Sequence, residues 1–212
     1  MISVSVTSVS ARSAGEEIDI TFFVDGGEGN NERATFTVSS RQYLTLGVSK
    51  GESDTDTFDA VSYAAKVWSA TKRGMMLLGY GASSQKAMKI KLVSKGFEQS
   101  VAEEAVDELV AMGLIDSVSD ATAQARRSAA KLWGKKRIVA GLYEKGYSAD
   151  EVAAAMNALE DMDVDFVANC RTLIERRYGG VPSDTAEKRK LFAALSRYGY
   201  SSAEIRSAFE GE

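Results

Sequence analysis

The chain has 212 residues, of which 44% are hydrophobic and 26% are charged, and this composition is typical of a folded globular protein. It contains no histidine, which excludes a histidine general base, a Ser-His-Asp or Cys-His nucleophile and any histidine-ligated zinc site. No apolar run approaches the roughly 18 residues that a membrane span needs, so we expect no membrane insertion. The single proline, Pro182, favours long uninterrupted helices.

The cellular compartment is indicated by two features of the sequence. The first ten residues alternate between apolar and polar types and have no basic region before an apolar block, which argues against a secretory signal. The one cysteine, Cys170, cannot form an internal disulfide, and this indicates a reducing environment. We therefore expect a cytoplasmic protein.

Charge is distributed unevenly along the chain. Residues 1–56 contain four Lys/Arg and nine Asp/Glu, whereas residues 57–212 contain 22 Lys/Arg and 21 Asp/Glu. The overall net charge of −4 thus comes from the front segment. Because the remainder is almost neutral, a nucleic-acid-binding face there requires clustering of cations.

Residues 1–56 show the pattern of a small antiparallel sheet. Residues 2–6, 18–24 and 36–38 alternate between apolar and polar types, and the glycine-rich stretch 25–31 predicts a hairpin. Ser39 and Ser40 are suited to cap a short helix over 41–46, which Gly47 or Gly51 ends. The polar stretch 51–57 is the predicted linker to the rest of the chain.

A helical pattern repeats three times after residue 57. An apolar pair spaced i, i+4 is followed four residues later by glycine, and the next residue is aromatic. A glycine at this position is expected to end a helix in the left-handed conformation. The predicted C-caps are Gly96, Gly146 and Gly199, which are 50 and 53 residues apart.

This spacing predicts a mainly α fold: three tandem three-helix repeats in an elongated curved stack, preceded by the small antiparallel β segment. The expected boundaries are 1–56 for the β segment with its short helix, then 57–112, 113–160 and 161–212 for the repeats. The first helices of the repeats are predicted over 58–71, 120–132 and 164–178.

Features that suggest enzymatic or metal chemistry are weak. Asp161, Asp163 and Asp165 resemble the start of a calcium loop, but Phe166 stands where such a loop needs glycine. Acidic residues also suit a helix N-terminus, and this interpretation is favoured. Cys170 lies on an apolar helix face, which indicates a buried, inert thiol. We expect no catalytic residue, metal or cofactor.

Cations recur at one position of each repeat. Ten residues before each glycine stand Lys86, Lys136 and Arg189, and two of these positions broaden into the clusters 135–137 and 188–190. These positions are expected at helix N-termini, where the macrodipole disfavours positive charge by about 0.3–1 kcal/mol. A repeated cost of this kind favours an anionic partner. The alternative is that these cations are only solvated surface residues.

A second series of cations occurs on the preceding helices. Stacked repeats would align them along one face, and spaced cations favour phosphate backbone or an acidic protein surface over sequence-specific readout. Aromatic residues are few near these cations in the sequence, so a stacking platform for single strands is not indicated. The series consists of Lys72, Arg73, Arg126, Arg127, Lys131, Arg171, Arg176 and Arg177.

The repeated pattern resembles the bacterial RecX family of RecA regulators. The resemblance rests on the signatures Lys95-Gly96-Phe97 and Lys145-Gly146-Tyr147 and on the segment Gly134-Lys135-Lys136-Arg137-Ile138. The N-terminal part, with Val24-Asp25-Gly26, is similar to the longer members. Many members have Gly-Pro where this chain has Trp133-Gly134, Asp116 alone remains of an acidic pair, and Tyr198 replaces the lysine of the third copy.

The resemblance implies a cytoplasmic, non-enzymatic and monomeric modulator of the RecA nucleoprotein filament. Such a protein would inhibit strand exchange and ATP hydrolysis in DNA repair, recombination and the SOS response, with weak direct binding to DNA. The alternative is a stand-alone nucleic-acid-binding repeat protein without a RecA partner, and a cofactor-less carboxylate enzyme is the third interpretation. The predicted filament-binding residues are Lys86, Arg126, Arg127, Lys131, Lys135, Lys136, Arg137, Arg176, Arg177, Lys188, Arg189 and Lys190.

Overall fold

The computed structural model describes residues 3–12, 15–26 and 31–210, and within these ranges it has four strands and ten helices. The chain divides into two compact units. The first unit consists of Met1–Gly81 and Lys89–Leu114, and the second consists of Ala82–Met88 and Ile115–Glu212. The division into one β segment and three repeats stays a prediction.

The first unit begins with an antiparallel sheet of four strands, which are β1 (Ser3–Arg12), β2 (Glu17–Asp25), β3 (Asn31–Ser39) and β4 (Gly51–Ser53). Their order in the sheet is β3-β2-β1-β4. β2 and β3 pair up to Asp25 opposite Asn31, while residues 27–30 of the predicted hairpin lie outside the described residues. The prediction of a linker over 51–57 was wrong in its first half, because β4 pairs with β1.

A short helix and a long helix follow the sheet. Helix α1 (Ser40–Leu46) begins at a capping box between Ser39 and Gln42, and Gly47 ends it with φ of +62°. Helix α2 (Thr55–Leu78) is capped by Asp54 and extends beyond the predicted range 58–71 at both ends. It packs on the sheet, where the rings of Phe22, Phe36 and Phe58 meet edge to face with centroids 5.2–6.1 Å apart.

The other helices follow one another in chain order: α3 (Gln85–Ser94), α4 (Gln99–Ala111), α5 (Ser117–Ala130), α6 (Lys135–Glu144), α7 (Ala149–Asp161), α8 (Phe166–Tyr178), α9 (Thr185–Arg197) and α10 (Ser202–Glu210). The same pairing occurs three times, because α2 packs on α4, α5 on α7 and α8 on α10. Among the described residues, none of the helices combines the length and the apolar character that a membrane crossing requires.

Two acidic residues account for the starts of α5 and α8. Asp116 caps α5, so this helix begins three residues earlier than predicted. The Asp165 carboxylate accepts hydrogen bonds from the amides of Val167 and Ala168 and caps α8. This observation supports the capping interpretation of the acidic stretch 161–165. No group of three or more potential metal ligands occurs within residues 3–12, 15–26 and 31–210.

Candidate interface for an anionic partner

The three repeat glycines end α3, α6 and α9 with left-handed backbone. Their φ angles are +94° at Gly96, +83° at Gly146 and +96° at Gly199. In each case the glycine amide bonds to the carbonyl three residues earlier, and the next amide bonds to the carbonyl five residues earlier. This pair of hydrogen bonds is the Schellman motif, which only a residue that tolerates positive φ forms without strain.

Two of the three repeat glycines, Gly199 and Gly146, also contact the start of another helix. Gly199 contacts the start of α6, at Gly134 and Lys136. The amide of Gly134 donates to the carbonyl of Tyr198 at 2.8 Å, and the amide of Lys136 donates to Gly199 at 3.1 Å. A Cβ atom added to Gly134 or Gly199 would lie well inside 3.0 Å of the opposite backbone. The start of α6 is therefore held against the end of α9.

A related contact joins the start of α3 to the end of α6. The Ser84 hydroxyl donates to the carbonyl of Lys145 at 2.8 Å and also accepts from the amide of Ala87, so it caps α3. A Cβ at Gly146 would lie 3.0 Å from this hydroxyl oxygen. The middle helices of the three predicted repeats are α3, α6 and α9. In both contacts the start of one middle helix lies against the end of the middle helix in the next predicted repeat.

These contacts change the interpretation of the cluster Lys135-Lys136-Arg137. Helix α6 has no acidic residue in its first turn and no side-chain cap at Gly134. However, the carbonyls of Tyr198 and Gly199 at the end of α9 bring partial negative charge to this N-terminus. The electrostatic cost that the sequence suggested for these cations is therefore offset within the fold.

Two of the three cations at the start of α6 are engaged within the molecule. The Lys135 ammonium lies 2.9 Å from the Glu160 carboxylate and 5.4 Å from the centroid of the Phe166 ring. The Arg137 guanidinium lies 4.0 Å from the centroid of the Trp133 ring. The third cation of this cluster, Lys136, is exposed, and its side chain has no partner within the described parts of the chain.

The cluster in the third predicted repeat does not lie at a helix N-terminus, which corrects the sequence-based expectation. Helix α9 begins at Thr185, its cap is Asp184, and Glu187 supplies a negative charge in the first turn. The cations at 188–190 therefore lie in the second turn, where the dipole effect is small. Lys188, Arg189 and Lys190 are exposed and make no ion pair or hydrogen bond through their side chains with any described residue.

The remaining predicted residues are also exposed. Lys86, Lys131 and Arg176 have no side-chain partner in the described ranges. Arg126 and Arg127 line a cavity of about 660 Å³ whose lining also includes Asp163 and Asp165. All twelve predicted cations belong to the second unit. This unit contains 16 Lys/Arg and 15 Asp/Glu, whereas the first unit contains ten Lys/Arg and 15 Asp/Glu.

Comparison with known proteins identifies the family. Residues 163–209 match the family model described as RecX, third three-helix domain. The chain is 34% identical over 138 residues to regulatory protein RecX of Xanthomonas axonopodis pv. citri (strain 306), an alignment that covers 65% of this chain and 83% of the relative. The chain belongs to the RecX family. Regulatory protein RecX of Stenotrophomonas maltophilia (strain R551-3), a further relative, is 33% identical over 138 residues, again covering 65% and 83%.

Solved RecX structures share the fold. A crystal structure of regulatory protein RecX superposes with a TM-score of 0.74 at 21% identity and covers 99% of this chain and all of that one. RecX from Lactobacillus salivarius superposes with a TM-score of 0.60 at 21% identity, over 69% of this chain and 96% of that one. The expectation of a mainly helical fold behind a small antiparallel sheet is confirmed.

The structure gives a role to Tyr198, which replaces the lysine of the RecX-type signature in the third copy. The Tyr198 ring centroid lies 5.5 Å from the Arg137 guanidinium and 5.4 Å from that of Arg177, and its hydroxyl accepts a hydrogen bond from Arg177. Trp133 lies on Arg137 as well. Few aromatic residues stand near the cations in the sequence, but the fold brings Trp133 and Tyr198 together against Arg137.

Proposed function

We propose that this member of the RecX family is a cytoplasmic, monomeric and non-enzymatic regulator that binds the RecA nucleoprotein filament and inhibits its recombinase and ATPase activities. The relatives are named regulatory proteins, which supports a regulatory role. The observation that carries the proposal is the exposure of Lys136, Lys188, Arg189 and Lys190 without any partner among the described residues. We also propose that the three predicted repeats are the units that present these cations.

The physical basis is electrostatic attraction to phosphate. Exposed cations without internal partners are free to approach DNA phosphates and release their counterions, which favours binding to a polyanionic filament. Lys135 and Arg137 are less suited to this role because Glu160 and Trp133 already engage them. Substitution of the whole cluster 135–137 would therefore mix lost binding with lost stability.

The experiment should use the cations that contribute least to the fold. The triple variant Lys188→Glu, Arg189→Glu, Lys190→Glu is expected to raise the concentration for half-inhibition of RecA ATP hydrolysis on single-stranded DNA by about tenfold, because reversed charges repel phosphate. The matched control is Arg33→Glu, Lys50→Glu, Lys95→Glu, which reverses the same number of exposed cations in the first unit. The control should change half-inhibition by less than about threefold.

Equal inhibition by the folded triple variant and wild type would show that residues 188–190 are solvated surface residues only. Lys136→Glu alone tests the cluster at the start of α6 and should give a smaller loss. Circular dichroism and thermal unfolding of each variant establish that the fold is retained.

A stand-alone nucleic-acid-binding protein is the second candidate function. It is favoured by one observation, the contact of Trp133 and Tyr198 with Arg137, because aromatic residues beside cations are common in single-strand binders. Titration against naked and RecA-coated single-stranded DNA at several salt concentrations separates the two candidates. Preference for RecA-coated DNA supports the RecA regulator, whereas equal, strongly salt-dependent binding to both supports the second candidate.

A further inference from the structure

A groove in the first unit is lined by one face of each of three helices. We call it the α1–α2–α4 groove, and its volume is about 460 Å³. This volume is in the range of about 300–1,000 Å³ that protein ligand sites occupy. The groove is lined by Arg41, Gln42, Thr45 and Leu46 of α1, Ala60, Tyr63 and Ala64 of α2, and Glu104, Asp107, Glu108 and Ala111 of α4.

The surface of the groove combines an apolar part with a carboxylate wall. Ala60, Tyr63 and Ala64 lie at i, i+3 and i+4 on α2 and leave space between the helices, because two of them are alanines. Leu46 of α1 and Ala111 of α4 add further apolar surface to the lining. Apolar surface of this kind at a groove is typical of sites that receive apolar side chains from another molecule.

The wall consists of carboxylates that have no cationic partner. Glu104 and Asp107 are exposed, and neither forms an ion pair or a side-chain hydrogen bond with any described residue. The half-buried Glu108 accepts hydrogen bonds from Gln42 at 3.0 Å and from Thr71 at 2.8 Å, both of which are neutral donors. Three negative charges thus face the groove, and Arg41 is the one cation among its lining residues.

From this arrangement we infer that the α1–α2–α4 groove binds a cationic amphipathic segment of a partner protein. Apolar side chains of the segment occupy the space over the two alanines and Tyr63, and its Lys or Arg side chains pair with Glu104, Asp107 and Glu108. Nucleic acid does not fit this groove, because phosphates and the carboxylate wall repel each other. The groove is therefore chemically distinct from the cations proposed to contact the filament, and the inference does not depend on RecA.

The Gln42 side chain holds one carboxylate of the wall, that of Glu108, in a fixed position. Its amide nitrogen donates to both the Glu108 carboxylate and the carbonyl of Ala64 at 3.1 Å, which joins α1, α2 and α4 at the base of the groove. The Glu108 side chain is thereby held in place before a partner arrives. Binding then requires little ordering of the groove, which lowers its entropic cost.

The test uses the full chain and a short fluorescein-labelled peptide with leucines at i, i+3, i+4 and i+7 and lysines elsewhere. Two comparison peptides have Glu in place of Lys, or Ser in place of Leu. Fluorescence anisotropy should show that the Lys/Leu peptide binds at least about tenfold tighter than either comparison peptide, because charge and apolar contact both contribute. Amide NMR shifts on addition of this peptide should be concentrated in α1, α2 and α4.

Matched variants separate groove binding from general attraction to an acidic protein. The double variant Glu104→Lys, Asp107→Lys should weaken binding by about tenfold or more, whereas Glu32→Lys, Glu52→Lys, with the same change in net charge, should weaken it less than about threefold. Ala111→Trp fills the groove without changing charge and should also weaken binding. Equal effects of the two double variants, binding unaffected by Ala111→Trp, or NMR shifts outside the groove would each overturn the inference.

Discussion

The backbone amide of Lys136 donates a 3.1 Å hydrogen bond to the carbonyl oxygen of Gly199, although 63 residues separate the two positions. The contact joins the positive end of α6 to the negative end of α9 and leaves no room for a side chain at Gly199. Gly199 therefore has two functions, since it ends one helix and receives the start of another. The cation at position 136 lies directly at this contact.

Three glycine variants separate the cost of positive φ from the cost of lost contact. Gly96→Ala has free space around its Cβ, so only φ is strained, and it should lower the free energy of unfolding by about 1 kcal/mol. Gly134 has φ of −76°, so its backbone is not strained, but an added Cβ would overlap the backbone of Gly199. Gly199 combines a positive φ with an equally close contact. Gly134→Ala and Gly199→Ala should each cost about 2 kcal/mol or more, as overpacking does.

Urea unfolding of the three variants provides the measurement. The variant at Gly96 serves as the control, because it shares the left-handed backbone of Gly199 and lacks its contact. Similar losses for Gly96→Ala and Gly199→Ala would show that the junction between α6 and α9 is loose in solution.

A second prediction concerns the buried Tyr200. Its hydroxyl donates to the carbonyl of Leu132 at 2.8 Å, and burial raises its pKa. Tyr200→Phe leaves that carbonyl without this donor and should lower the free energy of unfolding by about 1 kcal/mol. Tyr147→Phe is the control at the equivalent position, because no described residue bonds to the Tyr147 hydroxyl. A loss at Tyr147 as large as that at Tyr200 would contradict the prediction.

The third prediction concerns Arg137, whose guanidinium lies against the rings of Trp133 and Tyr198. Arg137→Lys keeps the charge but loses the planar group, so it should cost about 0.5–1 kcal/mol of stability. Under the proposed function, inhibition of RecA ATP hydrolysis should stay close to that of wild type. A variant of unchanged thermal stability with clearly weaker inhibition would instead assign Arg137 a direct role in partner binding.

The fourth prediction concerns the pH dependence of stability through Cys170. Burial raises the pKa of this thiol to about 11, from an ordinary value of 9.0. Above pH 9 the unfolded chain loses the thiol proton while the folded chain retains it, so this contribution to stability is present below pH 9 and is lost as pH rises toward 11. The full loss should be about 3 kcal/mol, because one pKa unit corresponds to about 1.4 kcal/mol.

Cys170→Ala removes the titrating group and is the matched comparison. Its free energy of unfolding should fall less steeply than that of wild type between pH 9.0 and about 11, a window set by the thiol's two pKa values. A thiol reagent at pH 8 should also modify the native chain slowly, because Cys170 is fully buried. Parallel pH profiles for the two proteins, or rapid labelling of the native chain, would show that the thiol is accessible.

Several features of this fold were predictable because they depend on neighbouring residues. The capping box at Ser39 and the left-handed glycines follow from local hydrogen bonding within a few residues. The sequence also indicates the start of α9, because Asp184 is followed by Glu187 three residues later. The prediction from the basic cluster placed this start too late. The strand β4 was missed because three residues are too short to show an alternating pattern.

The candidate site, unlike the helix caps, depends on contacts between residues that are distant in the sequence. The sequence by itself determined the family, the helical repeats and the positions of the cations, because periodicity and composition are carried by local residue order. Only the tertiary structure decided which cations are free: Lys135 and Arg137 are engaged by Glu160, Trp133 and Tyr198, whereas Lys188, Arg189 and Lys190 are not paired within the described residues. Contacts between distant residues arise when helices pack, and no local pattern in the chain encodes them.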